Sequence, residues 1–361
     1  MKNLIQNIPV KIRFMGLVSA VCLLLAGILL LFENQILRGL YDQQMAGRWS
    51  KEGEASQISV FYAENAIDSE DYFLGMEQSV EKALQNAGII KEKEQARLWI
   101  WAASRMGKAT LSTTRAKVEL QAVGVSGEFF QFHPQKIVSG AMFSQDNLMK
   151  DGLIIDKETA WQLFGSSDVV GMQVMIGEVP HYITGVIERG DSRLEKAAGL
   201  EKPMCFLSLD SLKSYGTVNG GFTYEIVLPN PVKGFALSTM QTVVGNGNEN
   251  VVIVENSTRF QFLSLVKIIK DFGIRSMSLK GVVFPYWENI ARGKEDILAL
   301  FLMFKILLLV LPVIFIITFI IYLWRKRTWS LGQILVRVQD KVYDADSKRM
   351  QKKRKKQEGK V

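Results

Sequence analysis

The sequence predicts an α+β fold in a bitopic membrane protein, with two transmembrane helices flanking a large extracytoplasmic split α+β domain that carries an inserted β-rich subdomain. Three observations point there. Two runs of 19 residues, Phe14 to Phe32 and Ile306 to Trp324, contain no charged side chain. The net charge of the 361-residue chain, +8, is concentrated at its two ends. A strand–helix–strand pattern occurs twice, and about a hundred residues separate the two copies.

As a helix, each run is about 28 Å long, close to a hydrocarbon core of roughly 30 Å. Residues 1–13 hold Lys2, Lys11 and Arg13 and no acid, and residues 325–361 hold thirteen Lys and Arg against four Asp and Glu, beginning with Arg325, Lys326 and Arg327. The middle, 33–304, has 27 basic and 32 acidic residues. Both basic flanks lie outside the pair of runs, so the positive-inside rule puts both termini in the cytoplasm of a cell-membrane protein. The expected organisation is a cytoplasmic N-terminus 1–13, a first span 14–32, an outer domain 33–296 with an insertion at about 118–215, a membrane-proximal helix with the second span 297–324, and a basic cytoplasmic tail 325–361.

The first run is longer than the apolar part of a signal peptide, and the "FENQILRG" after it lacks a small-x-small site, so it is expected to stay as an anchor. Val21 before Cys22 speaks against a lipoprotein signal, and Cys205 is then the one cysteine of the outer domain, which must be held by its core rather than by a disulfide. Lys305 interrupts an apolar stretch that starts at Ile297. Either it snorkels at the outer boundary, or 297–304 continues the helix above the membrane and packs on a partner or on the outer domain. Pro312 is a candidate kink.

In the outer domain, "QISVFYA" (57–63) alternates as a half-buried strand does. Phe73, Met76, Val80, Leu84 and Ala87 recur at helical spacing, and Gly88 follows where a cap is wanted. "RLWIWAAS" (97–104) reads as a second strand that turns at Gly107 into "KATLSTT". The pattern returns as the strand "FTYEIVL" (222–228), Asn230 and Pro231 as cap and first helical residue, a helix to Gly245, and the strand "VVIVE" (251–255). Within the insertion, Asp156 is an N-cap candidate, Glu158 suits the first turn, and Ala160, Trp161, Leu163 and Phe164 give a short helix its buried side before Gly165 ends it. "MQVMI", a turn at Gly177 and "HYITGVIE" then form a hairpin.

The run from Val118 to Arg189 resembles the periplasmic core domain of MacB-like ABC permeases. That family's blocks are matched by Ser139, Gly140 and Phe143; by Leu163, Phe164 and Gly165; by Asp168, Val170 and Gly171; by Gly177; and by Gly185 with Val186. Ala141 stands where the family usually has Arg, and Val169 where it has Pro. Family members typically continue through three membrane helices of an FtsX-like permease, whereas one uncharged run follows the outer domain here, so the last two helices are expected to be lacking. The resemblance implies structural rather than chemical roles for these residues, and separate ABC permease and ATPase chains as partners.

The residues themselves offer little chemistry. His133 and His181 belong to no zinc or triad pattern, "GKAT" (107–110) is not a phosphate loop, and no spacing singles out an acid/base pair. The expectation is a non-enzyme without cofactor or metal. The mildly acidic middle excludes a nucleic-acid surface despite a pI of 9.3, and the tail "KRMQKKRKK" (348–356), lacking interleaved aromatics, suits membrane lipid better. A membrane subunit of an ABC-type transporter, in export or in mechanical coupling, is the leading reading. The alternatives are a two-helix polysaccharide chain-length regulator, whose proline-rich stretch is represented only by Pro285 and Pro312, and a sensor controlling a cell-wall hydrolase. The oligomeric state is left open.

Overall fold

The computed structural model describes residues 9–50, 54–64, 66–67, 71–90, 97–143, 149–245, 249–272, 278–279, 282–326, 339–341 and 343. They form two compact units, one of Leu31–Met303 and one of Met1–Leu30 with Phe304–Val361.

The larger unit is built on a ten-stranded sheet. After helix α1 (Val10–Arg38) comes a 3-10 turn, Tyr41–Gln43, and a short α2 (Met45–Trp49). Strand β1 (Ala55–Tyr62), α3 (Asp71–Asn86) and β2 (Ile100–Ser112) follow. The inserted segment supplies β3 (Lys117–Gly127), α4 (Phe129–Phe132), β4 (Lys136–Gly140), β5 (Gly152–Asp156), α5 (Lys157–Phe164), β6 (Gln173–Ile176), β7 (Val179–Glu188), β8 (Met204–Ser208) and α6 (Leu209–Tyr215). Then come β9 (Thr217–Pro229), α7 (Phe235–Val244), β10 (Val251–Glu255), α8 (Phe262–Asp271), a two-stranded β11 (Ser278–Leu279) and β12 (Val282–Val283), and α9 (Tyr286–Arg325).

The strand order is β10-β1-β9-β2-β3-β8-β5-β7-β4, with β6 bonded to β2 and β7. β9 pairs directly with β2, so β3 to β8 are inserted in sequence yet extend the same sheet. At the root, even-numbered residues of β1 and β9 (Ile58, Val60, Tyr62, Tyr224, Ile226, Leu228) face α3 and α7, meeting Phe73, Met76, Val80, Leu84, Ala236 and Met240. The insertion closes over a separate core of Leu111, Leu120, Leu153, Ile155, Leu163, Val169, Val174, Ile183, Val186, Cys205 and Leu207.

Two local expectations are corrected. Strand β2 does not turn at Gly107 but runs through it, with a bulge in its pairing to β9 between Arg105 and Gly107. A Cβ at Gly107 would lie 2.5 Å from the Thr217 carbonyl oxygen, so the glycine permits close strand approach rather than reversal. Asn230 and Pro231 do not open α7. The helix begins at Phe235 after Gly234 (φ 86°), and Asn230 instead accepts a side-chain hydrogen bond from the Ala236 amide at 3.1 Å. Asp156 caps α5 by accepting from the Thr159 amide at 2.8 Å, and Gly165 ends that helix in the left-handed conformation at φ 72°.

Helices α1 and α9 are both long and apolar enough to cross a membrane. Lys11 and Arg13 lie exposed on α1, Arg325 is exposed and Lys305 half-buried on α9, and Lys326 is exposed just after it, while Arg327 lies outside the described residues. In the smaller unit, a Cβ on Gly16 would come within 3.2 Å of the Phe315 ring, so the two helices approach closely there. Ser19 is buried nearby, whereas Gly27 has nothing within 4 Å of its Cβ position. In the larger unit, Leu298, Ala299 and Leu302 of the 297–304 stretch are buried, the first and last against Leu265 of α8.

Candidate functional site: a buried polar chain

The odd-numbered face of β1 and β9 carries Gln57, Ser59 and Glu225, and Ser59 is the direct cross-strand partner of Glu225. These polar groups are buried. Glu225 is bonded on both sides. Its Oε1 accepts from Ser59 Oγ at 2.7 Å, and its Oε2 meets Nε2 of His133, the residue that ends α4. The other ring nitrogen, Nδ1, lies 3.0 Å from Oδ1 of Asp42 in the 3-10 turn after α1. An ionised carboxylate only accepts, so two such neighbours require both ring nitrogens to donate, and His133 is an imidazolium. Burial opposes that charge, but the charge of Glu225 and the hydrogen bonds to Asp42 and Glu225 outweigh it and hold the imidazole up to about 9.

Other contacts fix the same turn. Gln57 donates to the Asp42 carbonyl at 2.6 Å and accepts from the Met45 amide at 2.8 Å. Arg48 of α2 donates to the Gln131 and Phe132 carbonyls of α4 at 2.7 and 3.2 Å. The ring of Trp287, in the first turn of α9, lies 4.5 Å from the His133 ring.

From Ser59 the chain continues away from His133. Asn256 Nδ2 donates to Ser59 Oγ at 2.8 Å, and Arg259 Nη1 donates to Asn256 Oδ1 at 3.1 Å. The Arg259 guanidinium grips Glu288 of α9 with two bonds of 2.6 and 2.7 Å, while its Nε donates to Glu295 at 2.5 Å. Glu288 and Glu295 are seven residues apart, two helical turns, and so share a face. Burial opposes the guanidinium charge, but Glu288 and then Glu295 raise its pKa above the ordinary arginine value. One unbroken hydrogen-bonded chain therefore runs from the segment after α1, through the central strands, to the first turns of α9.

This arrangement holds elements in place. His133 has both nitrogens engaged and no accessible surface, so it presents neither a free base nor a free ligand. Among the described residues no group of three or more His, Cys, Asp or Glu could hold a metal ion. His181, the other histidine, is buried with Nδ1 3.2 Å from the Val179 carbonyl.

The residues of the family motif lie elsewhere, in the insertion. Pairing of β4 with β7 sets Gly140 opposite Gly185 and Ser139 opposite Val186. Gly140 has φ 76°, and a Cβ there would meet the Thr184 carbonyl at 2.2 Å and a Val170 methyl at 2.8 Å, so only glycine fits. Leu163 and Phe164 join Val169 and Val186 in the insertion core. Asp168 is exposed and its amide donates to Ser166 Oγ at 3.0 Å, while Gly171 donates to the Ile183 carbonyl at 2.8 Å. Gly177 sits in the β6–β7 hairpin, and Phe143 packs edge-on against Phe130 at 5.2 Å. Some motif residues are thus packed, as Leu163 and Val186 are, while Gly165, Asp168, Gly171 and Gly177 are exposed in turns, and none belongs to the polar chain.

Sequence reading missed His133, Glu225, Arg259, Glu288 and Glu295. The alternation of "FTYEIVL" assigns Glu225 to the face opposite Tyr224, which a half-buried strand would show to water. The available signal was that both strands carry polar residues on that face, Gln57 and Ser59 on β1 and Thr223 and Glu225 on β9.

A family profile, the MacB-like periplasmic core domain, matches residues 15–233, well over half of the chain. The macrolide export ATP-binding/permease protein MacB of Photorhabdus laumondii subsp. laumondii is 30% identical over 152 residues, which is 39% of this chain and 23% of that protein. The MacB of Pasteurella multocida is 32% identical over 80 residues, 22% of this chain and 12% of that protein. The chain thus spans about a quarter or less of the length of these curated relatives. Among solved structures, the periplasmic region of MacB from Actinobacillus actinomycetemcomitans covers 61% of this chain and 94% of its own, at 10% identity and a TM-score of 0.39. The extracellular domain of the noncanonic ABC-type transporter YknZ from Gram-positive bacteria covers 55% and 99%, at 15% identity and a TM-score of 0.34. On the profile match over residues 15–233, the chain belongs to the MacB-like periplasmic core domain family.

Proposed function

We propose that this protein is a non-enzymatic membrane subunit that works with separate ABC permease and ATPase chains, in export or in mechanical coupling across the membrane. Both termini lie in the cytoplasm on this reading, which rests on the basic flanks of the two uncharged runs. Its relatives are described as ATP-binding/permease proteins, and the 361 residues here contain no phosphate loop of the Walker type.

The observation that carries the proposal is the buried polar chain. It ties the segment that follows α1 and the first turns of α9 to the same central strands through charged hydrogen bonds. Buried charge networks of this kind specify one arrangement more than they add stability. Fixing both segments to the same strands is what a coupling subunit needs, because a movement of either segment must reach the outer domain without being absorbed.

The test is extraction from native membranes in a gentle detergent after mild crosslinking. A separate permease or ATPase chain should be recovered with this one, and removal of residues 325–361 should weaken that recovery. Repeated recovery of this chain alone would overturn the reading.

A further inference from the structure

Helix α8 (Phe262–Asp271) is apolar on two faces. Leu265 is buried, and Val266 and Ile269 are half-buried, in a cluster with Leu298 and Leu302 of α9 and Ile36 and Leu37 of α1. Two large residues at its start point outward instead, Phe262 at 58% exposure and Leu263 at 75%. Lys267 and Lys270 are exposed as well. At about 100° per residue, Leu263, Lys267 and Lys270 fall within an arc of roughly 60°, and Phe262, about 80° beyond it, stands exposed at the border with the Val266 and Ile269 face. Phenylalanine and leucine side by side with two lysines is the pattern of a helix lying in a bilayer interface.

The cluster that α8 joins is made of residues close in sequence to the two uncharged runs. Ile36 follows Phe32 by four residues and Leu302 precedes Ile306 by four, one helical turn or about 6 Å in each case. The lysine stems are long enough to cover apolar surface while their ammonium groups reach a phosphate. The basic residues flanking the runs on that side, Arg38 and Lys305, have the same sign. Of the nearby acids, Glu33 lies on α1, and Asp271 lines the groove between α8 and β10 along with Lys267. We propose that α8 rests on the outer surface of the bilayer, with Phe262 and Leu263 among acyl chains and Lys267 and Lys270 on the phosphates of anionic phospholipid. This rests on the reading that both runs span the membrane.

The full chain would be placed in phosphatidylcholine nanodiscs, with and without phosphatidylglycerol, in a Cys22→Ala background that keeps the buried Cys205. A nitroxide is attached at Leu263→Cys, at Leu24→Cys inside the first run, and at the exposed Thr242→Cys on α7, and relaxation by oxygen is compared with relaxation by a water-soluble nickel chelate. Position 263 should behave like position 24, oxygen winning severalfold, while nickel wins at 242. Phosphatidylglycerol should raise the oxygen-to-nickel ratio at 263 about twofold, and Lys267→Gln with Lys270→Gln should abolish that rise. Nickel winning at 263 while oxygen wins at 24 would overturn the proposal and leave the spanning reading intact. Nickel winning at 24 would overturn both. Low access to both reagents at 263 would mean that a second copy of the chain covers α8, which also overturns a lipid contact.

Discussion

The root of the sheet and its inserted half are held by different forces. The insertion core consists of aliphatic side chains and one cysteine, with a single buried carboxylate, Asp156, at its edge, where it caps α5 and pairs with Arg189. The root shares such a core with α3 and α7 on one face, but on the other it buries Glu225, His133, Arg259, Glu288 and Glu295. Hydrocarbon packing is non-directional and tolerates small shifts, whereas a bidentate arginine–carboxylate pair holds one geometry and loses most of its value when displaced. The contrast separates a part of the domain that only needs to be compact from a part that must keep the segments adjoining α1 and α9 in one position.

The strongest way to break this comparison is Arg259→Met, which removes the guanidinium that both Glu288 and Glu295 bond. The expected cost is about 3–5 kcal/mol, read as a large drop in melting temperature of the full chain in detergent. Adding Glu288→Leu and Glu295→Leu to the same variant should recover most of the loss. If the triple variant is as unstable as the single one, the charges are not what the root depends on.

Next in size is pH. The folded pKa of His133, about 9, lies above the ordinary value of 6.5. Its stabilisation is therefore fully present below about pH 6.5 and is lost as pH rises through 9, an effect on the order of 3 kcal/mol. Melting temperature should fall between pH 6.5 and 9.5, and His133→Gln should remove most of that slope. An unchanged slope in the variant would mean that another group titrates.

Gly165→Val probes the insertion without touching charge. A Cβ at this position meets nothing within 4 Å, so the cost is only that of a β-branched residue at φ 72°, about 1–3 kcal/mol. The smallest effect is expected from Ile183→Val in the insertion core, about 1 kcal/mol. Melting curves of both variants should keep the parental pH slope, and a changed slope in either would show that the two halves are not independent.

Helix ends, strands and the membrane runs were legible because their signals are local. Asp156 and Gly165 bracket α5 through contacts within a few residues, and an uncharged run of 19 residues is a property of the run itself. The errors came where a contact beyond the first helical turn or strand neighbour decides. Gly107 reads as a turn until the Thr217 carbonyl is seen against it, and Asn230 reads as a cap until its side chain is seen on the Ala236 amide of a helix that starts later. For Asp156, local reading found the cap but not the 2.6 Å bond from the Met204 amide, 48 residues on, to its other oxygen.

The order of its blocks, its two uncharged runs and its alternating strands were enough, from the sequence alone, to place this chain in an α+β, MacB-like architecture, because burial by period and motif order are written along the chain. The polar chain was decided only in three dimensions. Its members are spread from Asp42 to Glu295, and each looks like an ordinary surface residue among its sequence neighbours. Whether a charge lies in water or in a core depends on what the remaining elements lay over it. For His133 and Glu225 the covering elements come from both ends of the outer domain, Asp42 after α1 and Trp287 at the start of α9.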